Sequence, residues 1–216
     1  MLILAVDTSG KTASVALAED HTLLGLRMVY TARAHSQILL PMVKTLLADT
    51  NRSIGDVDVF AAANGPGSYT GLRIGVAAMQ AMAFAQKKQC AGISTLEGLA
   101  WNLCGTKGIL CAAMSARQNL LYAAFFQSDG VTVSRITEDT LISAEDCAAQ
   151  IAAYDAPVAI VGDGISLLGA LVPQAAPAPM HLALQSAAGI CMASLHSAPV
   201  APAELSVRYL QEVKIG

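Results

Sequence analysis

The chain has 216 residues, of which 54% are apolar and only 13% charged, against roughly 25% charged in a typical soluble domain. That length suits two small lobes, and so few charges require a dry core or a surface covered by another protein. The net charge of −3 excludes the basic excess of a stand-alone nucleic-acid binder, and five cysteines without CxxC spacing exclude a disulfide framework or zinc site and fit a reducing compartment.

The opening run Met1 to Val6 is apolar but stops at Asp7, too soon for a signal segment or membrane span. A cytoplasmic protein without membrane contact is expected. Residues 2 to 8 read as a buried strand, ended by Thr8-Ser9-Gly10-Lys11. Strands near 12 to 18 and 22 to 30 follow at hairpin distance. A helix is expected over Ser36 to Ala48, with Ser36 as N-cap and Pro41 tolerable only near the first turn. Residues 57 to 63 read as a strand leading into Asn64-Gly65-Pro66-Gly67-Ser68-Tyr69-Thr70-Gly71. A helix from Leu72 to Gln86, a strand at 89 to 93 and a helix at 95 to 104 complete this half.

Strand-rich sequence restarts near 107, with strands expected at 109 to 114, 120 to 126, 131 to 136 and 139 to 142. Ser143 begins a helix with Glu145 and Asp146 in its first turn, where the helix dipole favours acids. A strand at 158 to 162, a short helix near 165 to 171, a Pro/Ala loop at 173 to 179 and a helix at 185 to 196 follow. A Pro-rich segment and the tail Glu204 to Lys214 close the chain. The reading is an α/β protein of two related lobes, 1–106 and 107–216. The second is smaller and degenerate, and its last helix is free to pack back on the first.

The helix at 72 to 86 is apolar on two sides. Leu72, Val76, Met79 and Ala83 form a bulky strip suited to a sheet; Ile74, Ala78, Ala81 and Ala85 form a small-residue strip nearly opposite. The second cover is either the other lobe or a partner subunit. The helix at 37 to 48 is also apolar around most of its circumference, so the pair makes a plausible helical interface.

Asp7 ends the first strand either as a phosphate- or magnesium-associated acid or as a plain turn residue bonding its own backbone. Gly65, Gly67, Ser68 and Gly71 precede a helix N-terminus, which suits a tight, closely packed turn or, as the alternative, an anion or nucleotide. The loop lacks the lysine of a Walker A sequence. His35 fits a capping or interface role. The four histidines have no ligand-like spacing, and no cysteine sits in an activating motif.

The run Gly65-Pro66-Gly67-Ser68-Tyr69-Thr70-Gly71-Leu72-Arg73-Ile74-Gly75 resembles the TsaB (YeaZ) family. The resemblance extends to Leu4-Ala5-Val6-Asp7-Thr8-Ser9, His35-Ser36, Ser94 to Ala100 and Ala116 to Tyr122, and thins beyond residue 125. It implies an actin-like, ribonuclease-H-like fold and a non-catalytic partner of TsaD, the subunit that transfers threonylcarbamoyl to adenosine 37 of tRNAs. Another enzyme makes the threonylcarbamoyl-adenylate from threonine, bicarbonate and ATP. A TsaE-type ATPase joins the complex. By the same resemblance the chain forms a homodimer when alone, meets tRNA only through the complex, and has no cofactor of its own, with ATP or ADP held at the complex interface. The implied partner surface is His35, Leu39, Met42, Val43, Tyr69, Arg73, Ile74, Ala78, Ala81 and Ala85.

TsaD carries His-x-Glu-Gly-His after the same loop; here Thr95-Leu96-Glu97-Gly98-Leu99 replaces both histidines, so the metal clasp is gone. The family's Asp-Ala-Arg reads Ser115-Ala116-Arg117 here. An alternative is a stand-alone ATP-dependent kinase of the actin fold, using Asp7, the Gly65 loop and Gly162-Asp163-Gly164.

Overall fold

The computed structural model describes residues 1–31 and 34–210. The first half forms β1 (Leu2–Asp7), β2 (Thr12–Glu19), β3 (Thr22–Tyr30), α1 (His35–Asp49), β4 (Val59–Gly65), α2 (Tyr69–Gln86), β5 (Gln89–Ser94) and α3 (Thr95–Asn102). The second forms β6 (Lys107–Ser115), β7 (Leu120–Asp129), β8 (Val133–Arg135), β9 (Thr140–Ser143), α4 (Ala144–Ala152), β10 (Val158–Val161), α5 (Ile165–Leu168), β11 (Ala176–Pro177) and α6 (Ala187–Ser194).

Each half builds one sheet, and the two sheets share a topology. The first runs β3-β2-β1-β4-β5, the second β8-β7-β6-β10-β11 with β9 also on β7. In both, the first strand is antiparallel to the second and parallel to the fourth element of the ladder. This repeated three-antiparallel, two-parallel ladder is the actin-type, ribonuclease-H-like arrangement. The second copy is reduced, since β8 has three residues and β11 only two.

Contacts divide the described residues into two compact units, Met1–Gly98 with Gln185–Arg208, and Leu99–Leu184 with Tyr209 and Leu210. The first unit is therefore discontinuous, where sequence analysis draws a single boundary at 106/107. The reason is burial. β1 is apolar on both faces and needs two covers. Among the described residues, α1 and α2 pack with Leu2, Leu4, Val6 and Phe60, while α6 packs on β1 and β2 from its own segment. The Ser14 hydroxyl accepts from the Ala187 amide at 3.0 Å, and Thr12 donates to the Gln185 carbonyl at 3.0 Å.

After α6 the chain lies along α2 and β5 as an extended strap. Cys90 and Val200 exchange backbone hydrogen bonds at 2.8 and 2.9 Å. The Gln80 amide donates to the carbonyls of Pro202 and Leu205 at 2.9 Å each. The Asn64 carbonyl accepts from the Arg208 amide at 2.7 Å. The second unit has its own core, centred on Cys111, Leu121, Phe125, Cys147, Ile160 and Leu168.

Three local expectations are corrected. α1 starts at His35 with Ala34 in the N-cap position and no side-chain cap, so Ser36 lies inside the helix. The helix also runs through Pro41. The i−4 bond that proline cannot make falls on Gln37, and both residues are exposed, where water can take the carbonyl. α2 starts at Tyr69, capped by the Ser68 hydroxyl accepting from Gly71 N at 3.2 Å, one turn earlier than Leu72. No helix among the described residues is long and apolar enough to cross a membrane.

Candidate functional site: a helical face and a glycine loop

The two strips of α2 have different fates. Leu72, Val76, Met79 and Ala83 are buried against the sheet. Of the opposite strip, Ile74 and Ala78 are half-buried and Ala81 and Ala85 exposed. Phe84 stands beside them 79% exposed. On α1 the buried set is Leu39, Met42, Val43, Leu46 and Leu47, an i, i+3, i+4, i+7, i+8 stripe. Leu39, Met42 and Val43, expected on the partner surface, thus belong to the chain's own core. The exposed large apolar side chain of α1 is Leu40, at 56%.

Between the helices runs an open groove lined by Leu40, Val43, Lys44, Leu47, Ile54 and Met82, among others. Val43 is its floor. His35 is half-buried at the start of α1. Tyr69 is exposed in the first turn of α2, with the Arg73 guanidinium 3.9 Å above its ring, within cation–π range. Sequence reasoning missed Phe84 and Met82, which fall between the two strips on the helical wheel. Phe84 was legible as the single aromatic side chain in the helix beyond its first turn.

The glycine loop is packed closely. A Cβ on Gly71 would overlap the Thr8 carbonyl oxygen, one on Gly65 the Arg208 carbonyl oxygen, and one on Gly67 would lie 2.5 Å from the Ser9 carbonyl oxygen. Gly65 and Gly67 also hold φ of +132° and +153°, which side chains other than hydrogen disfavour. Ser68 N donates to the Ser9 carbonyl at 2.7 Å, and the Thr8 hydroxyl donates to the Gly71 carbonyl at 2.7 Å. The glycines thereby seat the start of α2 on the β1–β2 turn.

Asp7 is buried at the end of β1, its Oδ1 accepting from Ser9 N at 2.9 Å and from the Ser9 hydroxyl at 2.6 Å. Burial pushes its carboxyl up to about 6, against the lowering effect of both Ser9 hydrogen bonds. This is the geometry of a turn residue bonded to its own backbone. Thr95 and Leu99, at the positions of the missing histidines, are both buried. The Thr95 hydroxyl and the Asn64 Oδ1 are buried without a hydrogen-bond partner. Among the described residues no three His, Cys, Asp or Glu side chains lie close enough to hold a metal ion. Burial pushes the Cys90 thiol up to about 11 and Cys191 up to about 12.

In the second unit, Ser115 stands at the end of β6. Its amide donates to Asp163 Oδ1 at 2.9 Å, so a carboxylate from the Gly162-Asp163-Gly164 loop sits beside the position where the family resemblance leads one to expect aspartate. Gly162 and Gly164 of that loop pack against the Ala113 backbone.

A family model described as TsaD, tRNA N6-adenosine threonylcarbamoyltransferase, matches residues 28–209. The Bacillus subtilis tRNA threonylcarbamoyladenosine biosynthesis protein TsaB is 31% identical over 167 residues, 77% of this chain and 73% of that protein. The chain belongs to the TsaB (YeaZ) branch of this family. The Escherichia coli TsaB is 38% identical over 132 residues, covering 60% of this chain and 56% of its own length. The match thus spans little more than half of that relative. The crystal structure of YeaZ from Pseudomonas aeruginosa superposes with a TM-score of 0.82 at 26% identity, over 97% of this chain and 99% of that one.

Proposed function

We propose that this TsaB-family chain works in tRNA threonylcarbamoyladenosine biosynthesis as a non-catalytic subunit. It docks the outer face of α1 and α2 on a TsaD partner and supports threonylcarbamoyl transfer to adenosine 37. The relatives' names supply the process. The observation that carries the docking role is the apolar surface left open on the two helices, Leu40 with the groove it lines and, elsewhere on α2, Phe84, since exposed apolar surface of this kind marks protein contacts. The non-catalytic reading is supported by Asp7, tied to Ser9, and by Thr95 and Leu99, which supply no metal ligand. In this reading a TsaE-type ATPase joins the complex in the cytoplasm, ATP or ADP binds at the complex interface, and tRNA is met through TsaD.

The test is size-exclusion chromatography with light scattering on the chain mixed with TsaD from the same cell. A one-to-one complex is expected, and it should be lost with Ala81→Arg combined with Phe84→Arg. A complex that survives both substitutions would place the interface elsewhere and sink the docking role of this face.

A further inference from the structure

Three of the five cysteines direct their thiols at backbone carbonyls, Cys90 at Met79, Cys104 at Val131, and Cys191 at Ile3 and Ala16. The other two face each other. Cys111 and Cys147 lie Sγ to Sγ at 4.0 Å inside the core of the second unit. Cys111 is fixed, since β6 pairs it with Phe125 of β7 on one side and Ile160 of β10 on the other. Cys147 belongs to α4, which has one buried side, Ala144, Cys147, Ala148 and Ile151, and one open to water. Three of those four buried side chains are small, so α4 lifts from the sheet more cheaply than a helix anchored by large ones. The hydrogen bond between the thiols pulls Cys147 below its ordinary pKa, while the same bond together with burial pushes Cys111 up. Cys147 is therefore the better nucleophile of the two. α4 is also tied to the β6–β7 turn. The Ala144 amide donates to the Asn119 carbonyl at 3.1 Å, and Asn119 Nδ2 donates to Glu145 Oε1 at 2.9 Å. That turn carries the exposed Arg117.

We propose that Cys111 and Cys147 form an oxidation site, which hydrogen peroxide converts to a disulfide that tethers α4 to β6 and steadies the Arg117 turn. When α4 lifts, the Cys147 thiolate attacks one peroxide oxygen. The S–O bond forms, the O–O bond breaks, and the leaving hydroxide takes up the proton released by the thiol, as water. As α4 closes, the Cys111 sulfur attacks the Cys147 sulfenic acid. The S–S bond forms, the S–O bond breaks, and a second water leaves with the Cys111 proton. The two sulfurs lose two electrons and the peroxide gains them. A disulfide needs its sulfurs about 2 Å apart, and α4, packed on one side only, supplies that approach where β6, held on both sides, does not. Hydrogen peroxide suits the site because it is small, whereas a bulky disulfide oxidant needs α4 wholly displaced. The thiols of a reducing compartment return the pair to its open form. The site lies in the second unit and is independent of the helical face on the first.

The experiment treats the full folded chain with hydrogen peroxide, removes the excess with catalase, then unfolds and alkylates the protein for mass spectrometry. The treated chain should carry two fewer alkyl groups than the untreated one, with the peptides of Cys111 and Cys147 linked. Hydrogen exchange of the α4 amides should slow roughly tenfold or more in the oxidised chain and recover with dithiothreitol. Cys147→Ala, treated in the same way, should show neither the link nor the slowing. The readouts on the unmodified chain decide the matter even where that variant fails to fold. All five cysteines alkylated, under peroxide that oxidises free cysteine in the same solution, would overturn the site. So would Cys147 ending as a sulfinic acid without the link. A link that leaves α4 exchange unchanged or faster would overturn the tether.

Discussion

The loop at Gly65–Gly71 and the outer side of α2 are adjacent in sequence and opposite in character. The loop has the composition of an anion site, yet its glycines are packed against the carbonyls of Thr8, Ser9 and Arg208. The helix that follows has the composition of a core element, yet one side of it stands open with Phe84 79% exposed. Glycine content therefore reports close backbone approach as readily as ligand binding, and apolar content reports a buried face only when something is there to bury it.

The largest effect expected on this contrast is at Gly71. A methyl group there meets main chain rather than a flexible side chain, so Gly71→Ala should cost about 3 kcal/mol or more, read as a lowered urea midpoint. A variant that unfolds like the parent would break the packing account. Met79→Ala, on the buried strip, should cost roughly 2–5 kcal/mol in the same assay. A smaller loss would mean that the strip is less tightly packed than its burial implies.

Asp7 offers a test through pH. Burial pushes its folded carboxyl up to about 6, above the ordinary carboxylate range. The stability it contributes is therefore fully present below the unfolded value and lost as pH rises through about 6. At pH 7 the buried charge should cost on the order of 3 kcal/mol, so Asp7→Asn should raise the unfolding free energy at pH 7 by up to that amount, read as a higher urea midpoint, and flatten the decline between pH 4 and pH 7. An unchanged profile would show that Ser9 or water compensates the charge. The smallest effect is expected at Phe84. Phe84→Ser should change stability by under about 0.5 kcal/mol while weakening any complex made through this face. A large loss of stability would show that the ring is buried within the chain.

Much of the fold was legible because strands and helices write their burial into local periodicity. The strip Leu72, Val76, Met79 and Ala83 is the buried strip of α2, and the acidic first turn after Ser143 marks α4, with the Ser143 hydroxyl accepting from Asp146 N at 3.0 Å. The surface of α1 was not legible. Leu39 and Leu40 are chemically equivalent and differ by one helical step, and only the angle at which α1 lies on the sheet sends Leu39 inward and Leu40 outward. Nor could periodicity show the strap, because Gln80 and Asn64 meet the chain more than 120 residues away in sequence.

By itself the sequence determined the doubled α/β pattern, the glycine loop, the two-sided helix and the loss of the histidine pair. These follow from residue type and spacing within a window of a few turns. The tertiary structure decided which apolar side is covered, that α6 returns to the first unit, and that the Asp7 carboxyl is sealed from water. Each of those depends on which distant segment arrives to exclude solvent, and local spacing carries no record of that arrival.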